Sequence, residues 1–424
     1  MFDLIVRNAR CAGISNIAMD IAVKDGKIMA IEPSVDAKAA EEFDAEGFLV
    51  SSPFVDSHFH MDATLTYGRP RVNESGTLLE GIALWGELKP LLDKAEIKSR
   101  AHRLCRLAIA RGNLAIRSHV DICDPDLVAV EALLEVVDEI APYLDLQLVA
   151  FPQDGFLRDP NAKEQLIRAL DMGVHVVGGI PHFERSMQDG SQSIVELCRL
   201  AADRGLMVDM HCDESDDPLS RHIEMLSQQT VHFGLEGRVT GSHLTSMHSM
   251  DNYYVSKLIP LMKEADIQVV ANPLINITLQ GRHDTYPKRR GMTRVKELVA
   301  AGLNVAFGHD CVMDPWYSLG SHDMLEVASM GLHVGQMTGQ AEMREMFNAV
   351  TINGAKALGL DHFGLEIGKS ADFVVLQARD EIEALRLSPT RIAVFRRGSK
   401  IASQPKQIST VTLGDEVSEV DYLI

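Results

Sequence analysis

The sequence has little of what marks a secreted, membrane or nucleic-acid-binding protein. Its six cysteines (Cys11, Cys105, Cys123, Cys198, Cys212 and Cys311) include no close pair of the C-x-x-C kind. A chain of 424 residues buries enough surface to need no disulfide framework, so they read as free thiols. No apolar run approaches the ~18 residues of a membrane span, and the opening MFDLIVRNAR carries Asp3 and lacks the basic-then-apolar order of a secretory leader. A cytoplasmic protein with no membrane contact is expected. Positive charge is short as well: 41 Lys and Arg stand against 60 Asp and Glu, a net charge of −19. That balance repels phosphate backbones and argues against a nucleic-acid polymer as partner, leaving a small or neutral ligand. No G-x-G-x-x-G opens a helix after the first strand, so a dinucleotide-binding, doubly wound sheet loses its main support.

What is present is a globular composition, 46% hydrophobic and 24% charged, in two textures. Residues 2–50 hold short alternating runs (FDLIVRNA, IAMDIAVKDGKIMAIEP, EEFDAEGFLV), and the same period-2 pattern returns after about residue 365 in EIGKSADFVVLQ and RIAVFRRGSKIAS. Lys24-Asp25-Gly26 reads as a hairpin turn. The two ends, 1–52 and 365–424, are expected to meet in one small β-sandwich domain. Between them, over 53–364, eight apolar runs recur: FLVSSPFVDSHFH, NLAIRSHVDI, LDLQLVAFPQ, VHVVGGIPHF, LMVDMHCDE, RVTGSHL, IQVVANPL and NVAFGHDC. They alternate with helical stretches such as 126–144 and 191–205. Buried parallel strands covered by helices, eight times over, predict an α/β fold of the TIM type, a (β/α)₈ barrel. Its ~250 residues plus an accessory domain suit the length.

Polar residues end the predicted strands: His58 and His60 on the first, His119, Gln153, His182, His211, His243 and Asn272 on the next six, and Asp310 on the eighth. In a barrel these converge on the C-terminal mouth, where catalytic sites are built. His58 and His60, two apart on a strand, point to one face and can share a cation. With His211, followed by Glu214, and with His243 and Asp310, the imidazoles and a carboxylate make a first-row divalent site. His309 faces the opposite way on a regular strand and is left out.

The order H-x-H, His, His, Asp on strands one, five, six and eight of a barrel with a split β-sandwich resembles the amidohydrolase superfamily. Within it, HFHMDATLT, VAFPQDG, HCDESDDPLSR, SHLTSMHS, ANPLINITLQGRHDTYPKRRGMTRVKE and FGHDCVMDPWYSLGS resemble the bacterial cytosine deaminases over nearly the whole chain. The resemblance implies hydrolytic deamination of a free pyrimidine base, with ammonia released after a metal-activated hydroxide attacks C4. It assigns His58, His60, His211 and Asp310 to one divalent metal, Fe(II) or Zn(II). The fourth strand, VHVVGGIPHFE, has no lysine to bridge a second metal. By the same resemblance, His243 and Asp310 orient the attacking oxygen and accept its proton, Glu214 shuttles a proton to N3 and then to the leaving amine, and Gln153 reads the lactam edge of the ring. Trp316 lines the ring-binding wall or simply packs the mouth. The run Lys288-Arg289-Arg290 reads as a solvated or subunit-contacting loop, and a homo-oligomer, a hexamer in the family, is expected.

One residue departs from the pattern. Where the family has G-H-D-D, this chain has G-H-D-C, ending in Cys311. A neutral thiol in place of a carboxylate near C5 leaves room for a methyl group, so 5-methylcytosine, giving thymine, is expected as substrate alongside cytosine. A neutral Asp-to-Cys drift with ordinary cytosine preference, or a redox-sensitive thiol, is the alternative. Alternation along the strand turns Cys311 away from the metal-facing direction. Other small cyclic amidines (isocytosine, creatinine, an aminotriazine) are the competing substrates.

Overall fold

A computed structural model of the chain describes residues 1–15 and 17–423. The eight apolar runs form eight strands: β1 (Phe54–Phe59), β2 (Asn113–Asp121), β3 (Asp145–Phe151), β4 (Val176–Gly179), β5 (Met207–Cys212), β6 (Val239–His243), β7 (Gln268–Ala271) and β8 (Val305–Phe307). They pair in chain order, each parallel to the next. The ring closes just beyond β8, where Asp310 N–H donates to His58 O at 2.8 Å and His60 N–H donates to Asp310 O at 3.0 Å. The chain is therefore a (β/α)₈ barrel. Its strands are buried on both faces, by the barrel interior and by the outer helices, so they read as continuous apolar runs rather than alternating ones.

Four helices matter to the site or to the reading of it: α1 (Leu78–Leu88), α2 (Val128–Ile140), α3 (Met187–Arg204) and α4 (Pro273–Leu279). α2 buries Val130, Leu133, Val136 and Ile140 along one stripe. It begins later than the apolar pattern suggests, because Leu127 takes a left-handed φ of 52° and the Asp124 carboxylate accepts from Val128 N–H at 3.0 Å. α3 begins earlier, at Met187, because Ser186 caps it: Ser186 Oγ accepts from Asp189 N–H at 3.1 Å. Gly205, at φ 68°, ends it.

The strands from the two chain ends join in one hydrogen-bonded sheet. Phe2–Cys11 pairs antiparallel with Ala18–Lys24 on one side and parallel with Ala39–Asp44 and Leu49–Ser51 on the other. Through Leu49–Ser51 the sheet continues into Phe373–Leu376, Arg391–Arg396 and Ser399–Ser403. One face packs Leu4, Val6, Ile21, Phe373 and Phe395, and the other packs Ile5, Ala22 and Val35. The hairpin between Ala18–Lys24 and Lys27–Glu32 turns at Asp25 and Gly26, both at positive φ (50° and 72°), the geometry a two-residue turn demands. Ser409–Leu413 and Glu416–Val420 form a separate hairpin. All six cysteines are free. Among the described residues no helix is long and apolar enough to cross a membrane.

Candidate active site

The strand ends meet in one buried cluster. His58 and His60 project from β1 and its end to the same side, as period-2 alternation requires. Their Nε2 atoms stand 3.2 and 3.0 Å from Nε2 of His211, at the end of β5. Asp310 Oδ1 stands 3.6 Å from His58 Nε2 and 3.5 Å from His60 Nε2. Four donors each about 2.0–2.1 Å from a common tetrahedral centre lie roughly 3.3–3.4 Å from one another, so this set fits one divalent cation of the zinc or iron class. The electrostatics agree. Burial, reinforced by neighbouring imidazoles, pushes the His58 and His211 pKa values well down, and burial alone takes His60 to about 3, so all three rings are neutral, as metal ligands must be. Burial and the nearby Glu214 push Asp310 upward, so an ionised Asp310 calls for a positive charge beside it.

The backbone is strained where the cluster forms. Asp213, His243 and Asp310, none of them glycine, take φ of 53°, 71° and 68°. Such conformations persist only where the surroundings impose them, and they collect at functional sites. Asp310 makes the point concretely. Its left-handed φ breaks the alternation of the strand end, so Cys311 does not turn away as alternation predicts: its Sγ is 3.6 Å from Asp310 Oδ1 and it lines the same cleft. Burial and the adjacent Asp310 push the Cys311 thiol well above its usual range, so the wall it presents is neutral.

The cleft above the cluster opens to solvent and spans about 520 Å³ of empty space, its open mouth included. Glu214, His243, Gln153 and Trp316 all line it. Glu214 Oε1 is 3.4 Å from His243 Nδ1, and His243 Nε2 is 3.7 Å from Asp310 Oδ2. Burial pushes Glu214 up to about 8, a carboxyl that keeps a proton near neutrality. The side chain of Gln153, at the end of β3, has no hydrogen-bond partner among the described residues, which leaves its amide free for a ligand. Trp316 lies 6.1 Å from the His60 ring. α1 approaches it only because position 81 is glycine: a Cβ there would stand 2.3 Å from the Trp316 ring.

Other strand-end residues take different places. His119 lies beneath the cluster, its ring 4.2 Å from that of His58, and Asp209 Oδ1 is 3.7 Å from its Nε2. His182 lines the cleft and its Nδ1 bonds the carbonyl of His211 at 3.1 Å, bracing β5. Asn272 turns its amide to His243. His309 stands apart, stacked on His322 and bonded through Nδ1 to Cys311 O at 2.9 Å. The basic run is exposed, and its side chains tie the loop down at the surface: Arg289 grips Asp284 through Nε and Nη2, both at 2.7 Å, while Lys288 and Arg290 donate to Gly281 O and Val334 O.

Sequence reading missed Phe151, which stacks on His211 at 4.1 Å, although its place just before Gln153 offered a signal. It also missed the apolar lining Leu78, Ile82, Ile180, Phe183, Ile275 and Leu279, which arrives from loops and helices with no motif of its own.

Comparison with known proteins agrees with this geometry. The amidohydrolase family pattern matches residues 41–411. Among solved structures, the chain is similar to 5-methylcytosine deaminase from Klebsiella pneumoniae liganded with 5-fluorocytosine, at 40% identity and a TM-score of 0.92 over 95% of this chain and 98% of that one. It is also similar to N-isopropylammelide isopropylaminohydrolase from Burkholderia multivorans ATCC 17616, at 25% identity and a TM-score of 0.83 over 95% and 99% of the two chains. A curated relative, N-isopropylammelide isopropyl amidohydrolase of Pseudomonas sp. (strain ADP), is 30% identical over 404 residues, covering 94% of this chain and 96% of its own. With a family pattern running from the first sheet to the last strands, and three imidazoles and a carboxylate converging at the barrel mouth, the chain belongs to the amidohydrolase family.

Proposed function

We propose that the protein hydrolytically deaminates free pyrimidine bases, with 5-methylcytosine as a preferred substrate and cytosine also accepted. The observation that carries this reading is the composition of the cleft wall: an unpaired amide at Gln153, a proton-bearing Glu214 and a neutral Cys311 surround one donor cluster. The similarity to a 5-methylcytosine deaminase supports it. The reaction adds water at C4 and breaks the C4–N bond, giving thymine and ammonia from 5-methylcytosine.

His58, His60, His211 and Asp310 would hold one divalent cation, Fe(II) or Zn(II), which would supply the Lewis acidity that lowers the pKa of a water from ~15.7 toward ~7. The remaining work belongs to side chains. Gln153 donates from its NH₂ to the ring carbonyl and accepts from the adjacent ring N–H, a pairing no carboxylate can make. Glu214 gives a proton to N3 as C4 becomes tetrahedral, then delivers one to the departing amine. Asp310 Oδ2 and His243 Nε2, facing each other at 3.7 Å, orient the attacking oxygen. Trp316 and Phe183 cover the ring, and Cys311 accepts a C5 substituent against its sulfur.

A second reading is favoured by the full-length similarity to N-isopropylammelide hydrolases: deamination of an aminotriazine or related cyclic amidine. Ammonia release across cytosine, 5-methylcytosine, 5-fluorocytosine, isocytosine, creatinine and aminotriazines separates the two. Turnover confined to creatinine or triazines refutes the pyrimidine reading. The reading includes a homo-oligomeric enzyme, and a monomeric mass by light scattering would refute that part alone.

A further inference from the structure

His243 is the buried imidazole of the cleft whose hydrogen-bonding duty depends on a single proton. A neutral imidazole carries one donor and one acceptor nitrogen, and the partner of one nitrogen fixes the other. The groups facing the ring come from several elements: Glu214 beyond β5, Asp310 beyond β8, Asn272 and Asn276 at the start of α4, and the rings of His58 and His211 at 4.8 and 4.9 Å.

Asn276 decides the matter through a chain of one-way bonds. Asn272 and Asn276 are one helical turn apart, in the segment N-P-L-I-N that starts α4, so both side chains meet the same ring. The backbone N–H of Asn272 donates to Asn276 Oδ1 at 3.1 Å. A peptide N–H can only donate, which fixes the oxygen of the Asn276 amide on that side. Its NH₂ is then the group that faces His243 Nδ1, at 2.9 Å. An amide NH₂ can only donate, so Nδ1 accepts with its lone pair and the ring proton sits on Nε2. Asn272 Nδ2, 3.3 Å from Nδ1 and 3.4 Å from Nε2, favours neither nitrogen, and Glu214 Oε1 is 3.4 Å from Nδ1, so the Asn276 amide at 2.9 Å is the shortest of these contacts on the ring. Nε2 is the nitrogen that faces Asp310 Oδ2.

We propose that Asn276 is a positioning residue that holds His243 as the Nε2–H tautomer, so that His243 donates a hydrogen bond to the reacting oxygen and Asp310 alone accepts its proton. The same constraint keeps His243 out of the metal's ligand set, although its ring lies close enough to His58 and His211 to join one: with Nδ1 occupied by an amide and Nε2 protonated, neither nitrogen has a free lone pair. The catalytic half of the proposal rests on the deaminase reading; the tautomer does not.

The test is a two-bond ¹H–¹⁵N correlation spectrum of the Zn²⁺-loaded protein labelled with ¹⁵N-histidine, with the His243 signals identified by their loss in His243→Gln. The native protein is expected to show a protonated-type shift at Nε2 and an unprotonated-type shift at Nδ1. In Asn276→Asp an oxygen replaces the NH₂ while the acceptor for Asn272 N–H is kept, so the pattern should invert. With metal content unchanged and KM shifted less than threefold, kcat should fall by ~10²-fold or more, a loss of the kind a wrong imidazole tautomer produces in hydrolase triads. An Nδ1–H pattern in the native protein overturns the proposal, and so does an Asn276→Asp variant that keeps the native tautomer. If that variant does not fold, the native spectrum still decides. Expected spectra from a protein inert toward every cytosine-type base would leave the tautomer standing and remove the substrate reading.

Discussion

Replacing Cys311 by aspartate restores the residue that the cytosine deaminase pattern carries and should reverse the preference between methylated and unmethylated base. Cys311 is buried on the cleft wall with its Sγ 3.6 Å from Asp310 Oδ1. Its thiol stays neutral because burial and the adjacent Asp310 oppose ionisation. A C5 methyl resting on sulfur is worth ~0.8 kcal/mol as buried apolar surface. A carboxylate in its place loses that contact and is left with an unpaired lone-pair face toward the methyl, a further ~1–3 kcal/mol. The sum, about 2–4 kcal/mol, corresponds to a fall on the order of 10²-fold in kcat/KM for 5-methylcytosine relative to cytosine. Cytosine should suffer less, because it has no C5 methyl to meet the carboxylate while its exocyclic amine gains an acceptor. The assay is a competition between the two bases followed by chromatography of thymine and uracil, with metal content measured in parallel and Cys311→Ser as the uncharged control. A ratio that moves by less than threefold in Cys311→Asp, with metal retained, would refute the argument that this position sets the preference.

Glu214→Gln removes the transferable proton while keeping the shape of the cleft, so kcat should fall by ~10²-fold or more with metal content and melting temperature unchanged; near-native turnover would remove Glu214 from the reaction. His211→Ala deletes one of four convergent donors, and elemental analysis should show metal occupancy falling, since loss of a ligand weakens the site well beyond the 10–100-fold seen when only its supporting bonds are cut. Full occupancy would mean that the ligand set is drawn wrongly. Gly81→Ala places a methyl 2.3 Å from the Trp316 ring, so α1 or the indole must shift. A destabilisation of about 1–3 kcal/mol in urea is expected, together with a raised KM; unchanged stability and KM would show that Trp316 is free to move.

The barrel was legible because its strands are covered on both faces, so each announces itself as an apolar run, and because the polar residue ending each run marks which end is the mouth. His58, His60, His211, His243 and Asp310 could be read as a group for the same reason, since they end strands at one mouth of the barrel; the choice of His58, His60, His211 and Asp310 as ligands among them came from the resemblance to the amidohydrolase superfamily. Alternation failed at Cys311, since nothing in G-H-D-C announces that Asp310 adopts φ 68° and swings the next side chain into the cleft. A strand end does not specify depth either: His119 lies below the donors, toward Asp209 and Arg117. Helix α3 escaped at its start because Ser186, a capping residue, lies outside any apolar period. The apolar roof was invisible because Leu78 and Ile82, one turn apart on α1, meet Leu279 of α4 only in the folded barrel, and the two segments share no spacing. Asn276 was hidden differently: its segment was recognised as distinctive, but the duty of its amide depends on a backbone bond to Asn272 that only the folded helix reveals.

The central claim is that the protein replaces the exocyclic amine of a pyrimidine with oxygen from water. Turnover of 5-methylcytosine in H₂¹⁸O by the metal-loaded protein, read by mass spectrometry together with an ammonia assay, tests it directly. The account predicts thymine carrying a single ¹⁸O, formed in equal amount to ammonia. Intact 5-methylcytosine, or thymine without the label, would contradict it.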